Sequence, residues 1–342
     1  MIELIIDKSK DLKKIAAVEN GKLVEIYEEN EENKNARNEG NIYLGIVKDI
    51  VPGMQAAFID IGTEKNSFIH VKDVIPQVDE KIEKRIDVKI KDVIKSGQKI
   101  LIQIQKDSND KKGARTSTHI KLTGKYVILM PKTNIVTISQ KVVNEKERER
   151  LLKIVKENLP ENTGAIIRTA AENKTEKELN SDLEQLIGKW KKIISKFEKS
   201  DNKPQLLFKS PSIVEKLILD LPENKIEKII VNNQKEFEEI KETLTEIHEN
   251  IKIEVEEDAL KKYELEKQIE KSKQRKIWLN CGGFITIDPT EALVAIDVNS
   301  GKFTGKSTLE ETVYKVNYEA TIEIAKQLRL RDIGGIIIID YI

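Results

Sequence analysis

The sequence predicts an α+β protein with several domains. Its 342 residues exceed what one ordinary hydrophobic core holds together. Short alternating strands fill much of its first third. Near its end, two apolar runs flank an amphipathic helix. Hydrophobic residues make up 39% and charged residues 35% of the chain, a composition typical of a solvated globular protein.

Charge and cysteine content narrow the possible roles. Lys plus Arg and Asp plus Glu each number 59, so nucleic-acid binding must depend on local basic surfaces such as residues 81–125. The single cysteine, Cys281, excludes an internal disulfide framework and a cysteine-rich zinc site within this chain, and favours a cytoplasmic location. Glu3 and Asp7 interrupt the first apolar run, so no signal peptide is expected, and no run reaches membrane-spanning length.

The first third is predicted to be mostly strand. Strands are expected at residues 2–6, 12–19 and 22–28, the last two joined by a turn at Glu19-Asn20-Gly21. Several short alternating strands follow between residue 41 and about residue 106. So many short strands in so small a span predict a small barrel such as an OB fold.

Helices and strands alternate in the middle of the chain. Residues 119–209 begin with strands, followed by a helix at about 144–158 with Asn144 as N-cap, another strand, and a long charged helix through Leu186 and Trp190. Residues 210–275 alternate helix and strand, and finish with one highly charged helix. The Lys/Glu runs in these helices are predicted to be solvated faces.

The last region is predicted to form a strand, a helix and a strand at residues 293–298, 309–328 and 336–339, with Gly334-Gly335 ending the helix. That order predicts a right-handed parallel crossover. If the two strands are neighbours, their carboxyl ends lie about 5 Å apart, which brings Asp297 and Asp340 together. Asn299 shares the face of Asp297 because side chains alternate along a strand.

Two neighbouring carboxylates predict a cation site. They repel unless a cation or proton lies between them, and oxygen ligands favour Mg²⁺ or Mn²⁺. Such an ion can polarise a phosphate oxygen and activate water for phosphodiester cleavage, with Asn299 orienting an aspartate or the phosphate. The alternative is that Asp297 and Asp340 only cap the loops after their strands, which is common for an acid at a strand end.

Residues 300–308, SGKFTGKST, resemble a phosphate-binding P-loop, and IIIID at 336–340 resembles its Walker B companion. Only three residues separate Gly301 from Gly305, where the motif needs four. An NTPase is therefore disfavoured. A phosphomonoesterase is a further alternative for the same carboxylates.

The strands ALVAIDVNSG and GGIIIIDYI resemble the catalytic region of the ribonuclease E/G family of endoribonucleases, and the resemblance extends over the whole chain. It implies an RNase H-like domain formed by residues 1–38 and 210–275. An OB-fold RNA-binding domain (39–118) and a 5′-sensor domain (119–209) are inserted into it. An incomplete DNase I-like α/β domain (276–342) follows.

The resemblance also implies roles for particular residues. Asp297 and Asp340 are expected to hold magnesium, with Asn299 positioning the reacting groups. The segment NIYLGIVKDIVPGMQAAFIDIGTEKNSFIHVKDV resembles the family's RNA-binding barrel. Phe58 and Phe68 are then RNA-facing aromatics, and stacking on such rings is a common way to bind bases. For both rings the alternative is a place in the barrel core.

A basic contact and a phosphate pocket complete the implied sites. Lys112 occupies the family's basic RNA-contacting position. LTGKYVILMP and IIRTA resemble the two halves of a pocket for a 5′-monophosphate, in which Gly124 and Ile128 belong to the first half and Arg168 and Thr169 to the second. An arginine fork and a threonine hydroxyl are suitable phosphate donors.

The function implied is magnesium-dependent cleavage of single-stranded RNA, such as rRNA precursors and mRNA, with a preference for 5′-monophosphorylated ends. The family implies a homodimer or tetramer linked by zinc, whose cysteine ligands would follow residue 342 and are absent here. The alternative from another class is therefore a non-catalytic RNA-binding fragment. Metal-dependent cleavage separates the two.

Overall fold

The computed structural model describes residues 1–9, 12–30, 38–74, 88–108, 112–221, 225–247, 251–301 and 308–342. It divides into two compact units, Met1–Asn33 with Glu223–Ile342, and Lys34–Pro222. The mixture of helices and sheets confirms the α+β class, and the finer domain boundaries given above stay predictions. Most of the P-loop-like segment lies outside the described residues.

The strands of the described residues are mostly short. In chain order they are β1 (Ile2–Ser9), β2 (Leu12–Glu19), β3 (Lys22–Asn30), β4 (Ile42–Val51), β5 (Ala56–Asp60), β6 (Ser67–His70), β7 (Lys99–Lys106), β8 (Arg115–Ser117), β9 (Leu122–Thr123), β10 (Val127–Pro131), β11 (Val136–Ile138), β12 (Thr163–Ile167), β13 (Gln205–Phe208), β14 (Ile226–Val231), β15 (Lys252–Val255), β16 (Lys276–Trp278), β17 (Phe284–Pro289), β18 (Leu293–Asn299) and β19 (Ile336–Asp340).

The helices vary widely in length. They are α1 (Ile90–Val93), α2 (Glu145–Asn158), α3 (Glu176–Lys199), α4 (Ile213–Asp220), α5 (Gln234–Ile247), α6 (Ala259–Lys262), α7 (Leu265–Ser272) and α8 (Leu309–Leu330). Within the described ranges, none of these helices is long and apolar enough to cross a membrane.

A mixed five-stranded sheet begins the first unit, in the order β15-β14-β1-β2-β3. β14 is parallel to β1 and β15, whereas β1, β2 and β3 are antiparallel. The prediction of one charged helix up to residue 275 is wrong, because the chain breaks into α6 and α7 at Glu264, whose φ is 50°. Leu260 and Leu265 both pack in the core, but on one continuous helix they would point about 140° apart.

The second unit contains the predicted small barrel. β4, β5, β6, β8 and β7 form a closed ring, because β4 pairs with both β5 and β7. Its interior is apolar and includes Val47, Ile59, Ile69 and Ile102. The sequence did not predict β13, which pairs with the first half of β4.

The second unit also contains a four-stranded sheet, β11-β12-β10-β9, on which α2 and α3 pack. The predicted cap is confirmed: the Asn144 side chain accepts a hydrogen bond from the backbone N–H of Glu147 at 3.2 Å. α3 has a reciprocal cap, since Thr175 Oγ1 accepts from Glu178 N and the Glu178 carboxylate accepts from Thr175 N. This cap fixes the start of the helix that carries Asp182.

The first unit ends in the sheet β16-β17-β18-β19. β18 and β19 are parallel, as the sequence predicts, while β16 and β17 are antiparallel additions that it did not predict. α8 covers one face, where Ile296 and Val298 pack with Val316 and Ala320. The helix ends at Leu330 rather than at the glycine pair, and the reversal follows at Asp332, with φ 49°.

We expect the α3 cap to make stability depend on pH. Hydrogen bonds from Thr175 lower the pKa of Glu178 from 4.5 to about 2. A lowered folded-state pKa stabilises the fold above about pH 4.5, and this stabilisation is lost as pH falls toward 2. Urea unfolding should therefore show that Glu178→Gln is less stable than the native chain at pH 7, and that the difference shrinks by pH 3. Glu184→Gln, at an exposed position of the same helix, is the control, and a pH-independent difference for Glu178→Gln would contradict the prediction.

Candidate functional site

The two predicted aspartates are register partners. Asp297 of β18 lies directly opposite Asp340 of β19 in the parallel ladder. Ile296 and Val298 are buried beneath α8, so the alternation of the strand turns Asp297 to the opposite, exposed face. Asn299 Nδ2 donates a hydrogen bond to Asp297 Oδ2 at 2.6 Å. The structure thus brings all three residues together at the carboxyl ends of the parallel strands.

The donor set suits a hard divalent cation. Both carboxylates are exposed, and the atoms they offer as metal ligands are all oxygens. Among the described residues there is no cluster of three or more His, Cys, Asp or Glu that could hold a metal. Mg²⁺ needs no such cluster, because it is commonly held by one or two carboxylates together with waters and substrate phosphates. Asp297 and Asp340 therefore fit magnesium if substrate completes the shell.

The open face of this sheet carries two rows of side chains, which join the predicted residues to four that the sequence did not predict. Pairing across the four strands places Lys276, Thr286, Asp297 and Asp340 in one row. The next row consists of Trp278, Phe284 and Asn299. The alternation in KIW and FITID was the available sign of these strands, but the runs are short.

The two phenylalanines of the barrel form a pair. Phe58 and Phe68 are register partners on β5 and β6, with ring centroids 6.0 Å apart and ring planes at 68°. Both are half-buried, whereas the flanking Ala57, Ile59 and Ile69 fill the interior. The rings lie on the outer face of the barrel, so the alternative of a core position is wrong.

Arg115 of β8 pairs in register with Phe68 and so continues the row of the two phenylalanines across the barrel. The Arg115 guanidinium forms an ion pair with the Asp73 carboxylate at 3.0 Å. Lys112 is exposed in the loop before β8. The adjacent Gly113 approaches β6 so closely that a Cβ there would lie 1.9 Å from the Asn66 carbonyl oxygen. That approach fixes the loop carrying Lys112 beside the start of β6.

Arg168 is the centre of the predicted phosphate pocket. Its Nη1 donates to the carbonyl oxygens of Gly124 at 2.8 Å and Leu219 at 3.2 Å. Its Nη2 donates to the carboxylate of Asp220 at the end of α4. Its side chain is only 16% exposed. The guanidinium is thus fixed in place, and one arm of its fork is paired with an acid.

A buried carboxylate shapes the turn at Gly124. Asp182 of α3 accepts hydrogen bonds from the backbone N–H groups of Lys125, Tyr126 and Val127 at 2.8–3.0 Å. A Cβ at position 124 would lie 2.5 Å from Asp182 Oδ1, so this close approach requires glycine. The turn then presents the Gly124 carbonyl to Arg168.

Of the other two predicted pocket residues, only Ile128 lines a cleft together with Arg168. Ile128 and Arg168 line a cleft of about 360 Å³, with Lys121, Lys189 and Lys216 also in its wall. Thr169 begins a short 3₁₀ helix, and its hydroxyl is 2.9 Å from that of Ser139. The described lining of the cleft includes neither Gly124 nor Thr169. Asp182, Asp220 and Ser139 were not predicted, because nothing in their local sequence marks them.

Comparisons with known proteins give matches that together extend over nearly the whole chain. The family model described as "Ribonuclease E/G family" matches residues 121–342, and an S1 RNA binding domain matches residues 37–117. Ribonuclease G of Salmonella typhimurium is 36% identical over 99% of this chain and 71% of its own length. Ribonuclease G of Haemophilus influenzae is 36% identical over 100% and 71%. Ribonuclease E of Synechocystis sp. is 36% identical over 89% of this chain and 46% of its own length.

We expect the Asp182 carboxylate to be essential to the Gly124 turn. Asp182→Asn replaces one acceptor oxygen with an NH₂ group facing backbone N–H donors, so denaturant unfolding should show a loss of about 2 kcal/mol. Glu184→Gln is the control, because it also neutralises an acid on α3 but at an exposed position. Equal stabilities of the two variants would contradict the role given to Asp182.

Proposed function

The chain belongs to the ribonuclease E/G family, and on that premise we propose that it is an endoribonuclease that cleaves single-stranded RNA with magnesium and prefers 5′-monophosphorylated ends. The observation that carries the proposal is the register of Asp297 opposite Asp340, with Asn299 bonded to the first. The substrates would be rRNA precursors and mRNA, and the compartment the cytoplasm. A homodimer or tetramer belongs to the same proposal.

Asp297 and Asp340 would hold the ion, with manganese as a substitute for magnesium. When bound, the ion polarises the phosphate and lowers the pKa of water. Asn299 fixes the rotamer of Asp297 through the 2.6 Å hydrogen bond, so that the carboxylate keeps its place beside Asp340. Asn299 is neutral and adds no further charge repulsion for the RNA phosphate. Hydrolysis in this arrangement leaves a 5′-phosphate on the downstream product.

The barrel would hold the RNA. Phe58 and Phe68 expose ring surface on its outer face, and base–aromatic stacking tolerates any sequence. Lys112 would neutralise a phosphate nearby. The match of residues 37–117 to an S1 RNA binding domain supports this assignment.

The Arg168 site would recognise the 5′ end. A monophosphate could accept from the guanidinium fork and from the Thr169 hydroxyl, while a triphosphate would be crowded. Asp220 already accepts from Nη2, and the Gly124 and Leu219 carbonyl oxygens accept from Nη1, so a phosphate must compete with the carboxylate on one arm and with backbone on the other. Ile128 would supply an apolar wall, and the turn at Gly124 would supply close-approaching backbone.

The domain types are part of the proposal. The order β3-β2-β1-β14-β15, antiparallel and then parallel, supports an RNase H-like domain formed by residues 1–38 and 210–275. Residues 39–118 would be the OB fold, 119–209 the 5′-sensor, and 276–342 an incomplete DNase I-like α/β domain. The second candidate function is a non-catalytic RNA-binding module, for which the S1 match alone would suffice.

We expect the aspartates to be required for cleavage rather than for binding. Asp297→Asn and Asp340→Asn should each reduce cleavage of a single-stranded RNA by a factor of at least about 1,000, because each removes one of two anionic ligands. The affinity for uncleaved RNA should change less than about threefold, since neither aspartate supplies a ring on which a base can stack. Gel assays of cleavage and fluorescence anisotropy of binding measure the two effects.

Asp332→Asn is the matched control, because it neutralises an exposed acid in the turn before β19. It should cleave as the native chain does. Parallel loss of binding and cleavage in Asp297→Asn would contradict the assigned roles, and metal-dependent cleavage by the native chain excludes the non-catalytic module.

We expect substitutions of Arg168 and of Asp220 to change the preference for 5′-monophosphorylated RNA in opposite directions. Arg168→Gln should reduce the rate ratio between 5′-monophosphorylated and 5′-hydroxyl RNA to about 1, because the bidentate donor is lost. Asp220→Asn should raise that ratio, because the competing carboxylate is neutralised. Asp201→Asn, at an exposed site in the same unit, is the control. An unchanged ratio in Arg168→Gln would exclude the sensor role.

A further inference from the structure

We propose that Trp278, Phe284 and Lys276 form a base-binding subsite on the open face of the catalytic sheet. It would take one unstacked base of single-stranded RNA from a nucleotide close to the scissile phosphate. Its position relative to cleavage rests on the proposed function. The subsite itself rests on the three side chains and their register.

Strand pairing places the subsite beside the aspartates. Trp278 pairs with Phe284, and Phe284 pairs with Asn299. β16 is two strands from β18, so Trp278 lies about 10 Å across the sheet from Asn299. A nucleotide whose phosphate is near Asp297 can therefore have a neighbour whose base reaches these rings.

The two rings are arranged as a partly open platform. Their centroids are 5.3 Å apart and their planes meet at 62°, so the edge of one ring faces the other. Phe284 is half-buried, but Trp278 is 57% exposed. An indole with this much free surface can stack a base of any identity, a contact typical of proteins that bind single strands.

Charge at the platform suits RNA. Lys276 Nζ lies 3.5 Å from the Phe284 centroid and 4.3 Å from the Trp278 centroid. It shares a register row with Asp297 and Asp340. A cation in this row offsets the repulsion that two carboxylates exert on an RNA backbone, and it can pair with a phosphate beside the stacked base.

The platform is joined firmly to the catalytic strand. A Cβ at Gly283 would lie 2.8 Å from the Asn299 carbonyl oxygen, and a Cβ at Gly301 would lie 3.3 Å from a Phe284 ring carbon. Gly301 also has φ 60°, where glycine is favoured. These close approaches fix the position of Phe284 relative to Asn299. A base stacked at Phe284 would therefore position the RNA backbone beside Asn299.

An abasic scan tests the subsite without relying on cleavage. The Asp340→Asn chain would be titrated with 5′-monophosphorylated single-stranded RNAs that each lack one base, the missing base being moved position by position along the strand. Binding would be measured by anisotropy for four proteins: Asp340→Asn alone, and this chain with Trp278→Ala, Trp278→Phe or Tyr314→Ala. Tyr314 is a matched control, because it is also an exposed aromatic but lies on α8.

The proposal expects one position at which base removal weakens binding about tenfold, and at which the loss disappears in Trp278→Ala. Trp278→Phe should keep most of the loss, and Tyr314→Ala should keep all of it. A ring pair that only stabilised the hairpin would lower affinity for every RNA equally. That result, or equal losses in the native-tryptophan and Trp278→Ala proteins at every position, would overturn the subsite.

The results distinguish a failure of the proposed subsite from a failure of the proposed nuclease function. A position-specific loss that depends on Trp278, in a chain whose native form does not cleave RNA, would support the subsite and refute the nuclease. Cleavage that needs Asp297, together with a flat scan, would support the nuclease and overturn the subsite. If Trp278→Ala does not fold, Trp278→Leu takes its place, because leucine keeps an apolar side chain on the strand but offers no ring on which a base can stack.

Discussion

The in-register parallel pairing of β18 with β19 is the constraint on which the candidate active site depends. A slip of one residue would turn Asp340 to the opposite face of the sheet, toward α8, and separate it from Asp297. The apolar side chains specify the register: Ile296 and Val298 on one strand, and Ile337 and Ile339 on the other, pack on the covered face. The hydrophobic core beneath the sheet therefore determines where the two carboxylates meet above it.

Much of this arrangement could be predicted from the sequence because it is local. The strand–helix–strand order implies a parallel pair, and side-chain alternation places Asn299 on the face of Asp297. The Asn144 cap was predictable for the same reason. The break between α6 and α7 was not, because it depends on how Leu260 and Leu265 fit the core of a distant sheet.

The hydrogen-bond partners of the predicted residues could not be predicted from the sequence either. Asp182 lies 58 positions from Gly124 and Asp220 lies 52 positions from Arg168, in helices where acids are common. β16 has only three residues, and only the pairing of β16 and β17 with β18 shows that Lys276, Trp278 and Phe284 share a face with the aspartates. Because the chain has no net charge, RNA binding depends on such local groupings of rings and cations.

The central claim is that Asp297 and Asp340 together hold one divalent ion. Electron paramagnetic resonance of Mn²⁺ measures this directly, with the native chain, Asp297→Asn and Asp332→Asn titrated in the presence of single-stranded RNA. We expect one bound ion per native chain, the same stoichiometry and affinity in Asp332→Asn, and an affinity for Mn²⁺ reduced at least about tenfold in Asp297→Asn, because one of two anionic ligands is gone. Equal Mn²⁺ binding by the native chain and Asp297→Asn would contradict this claim.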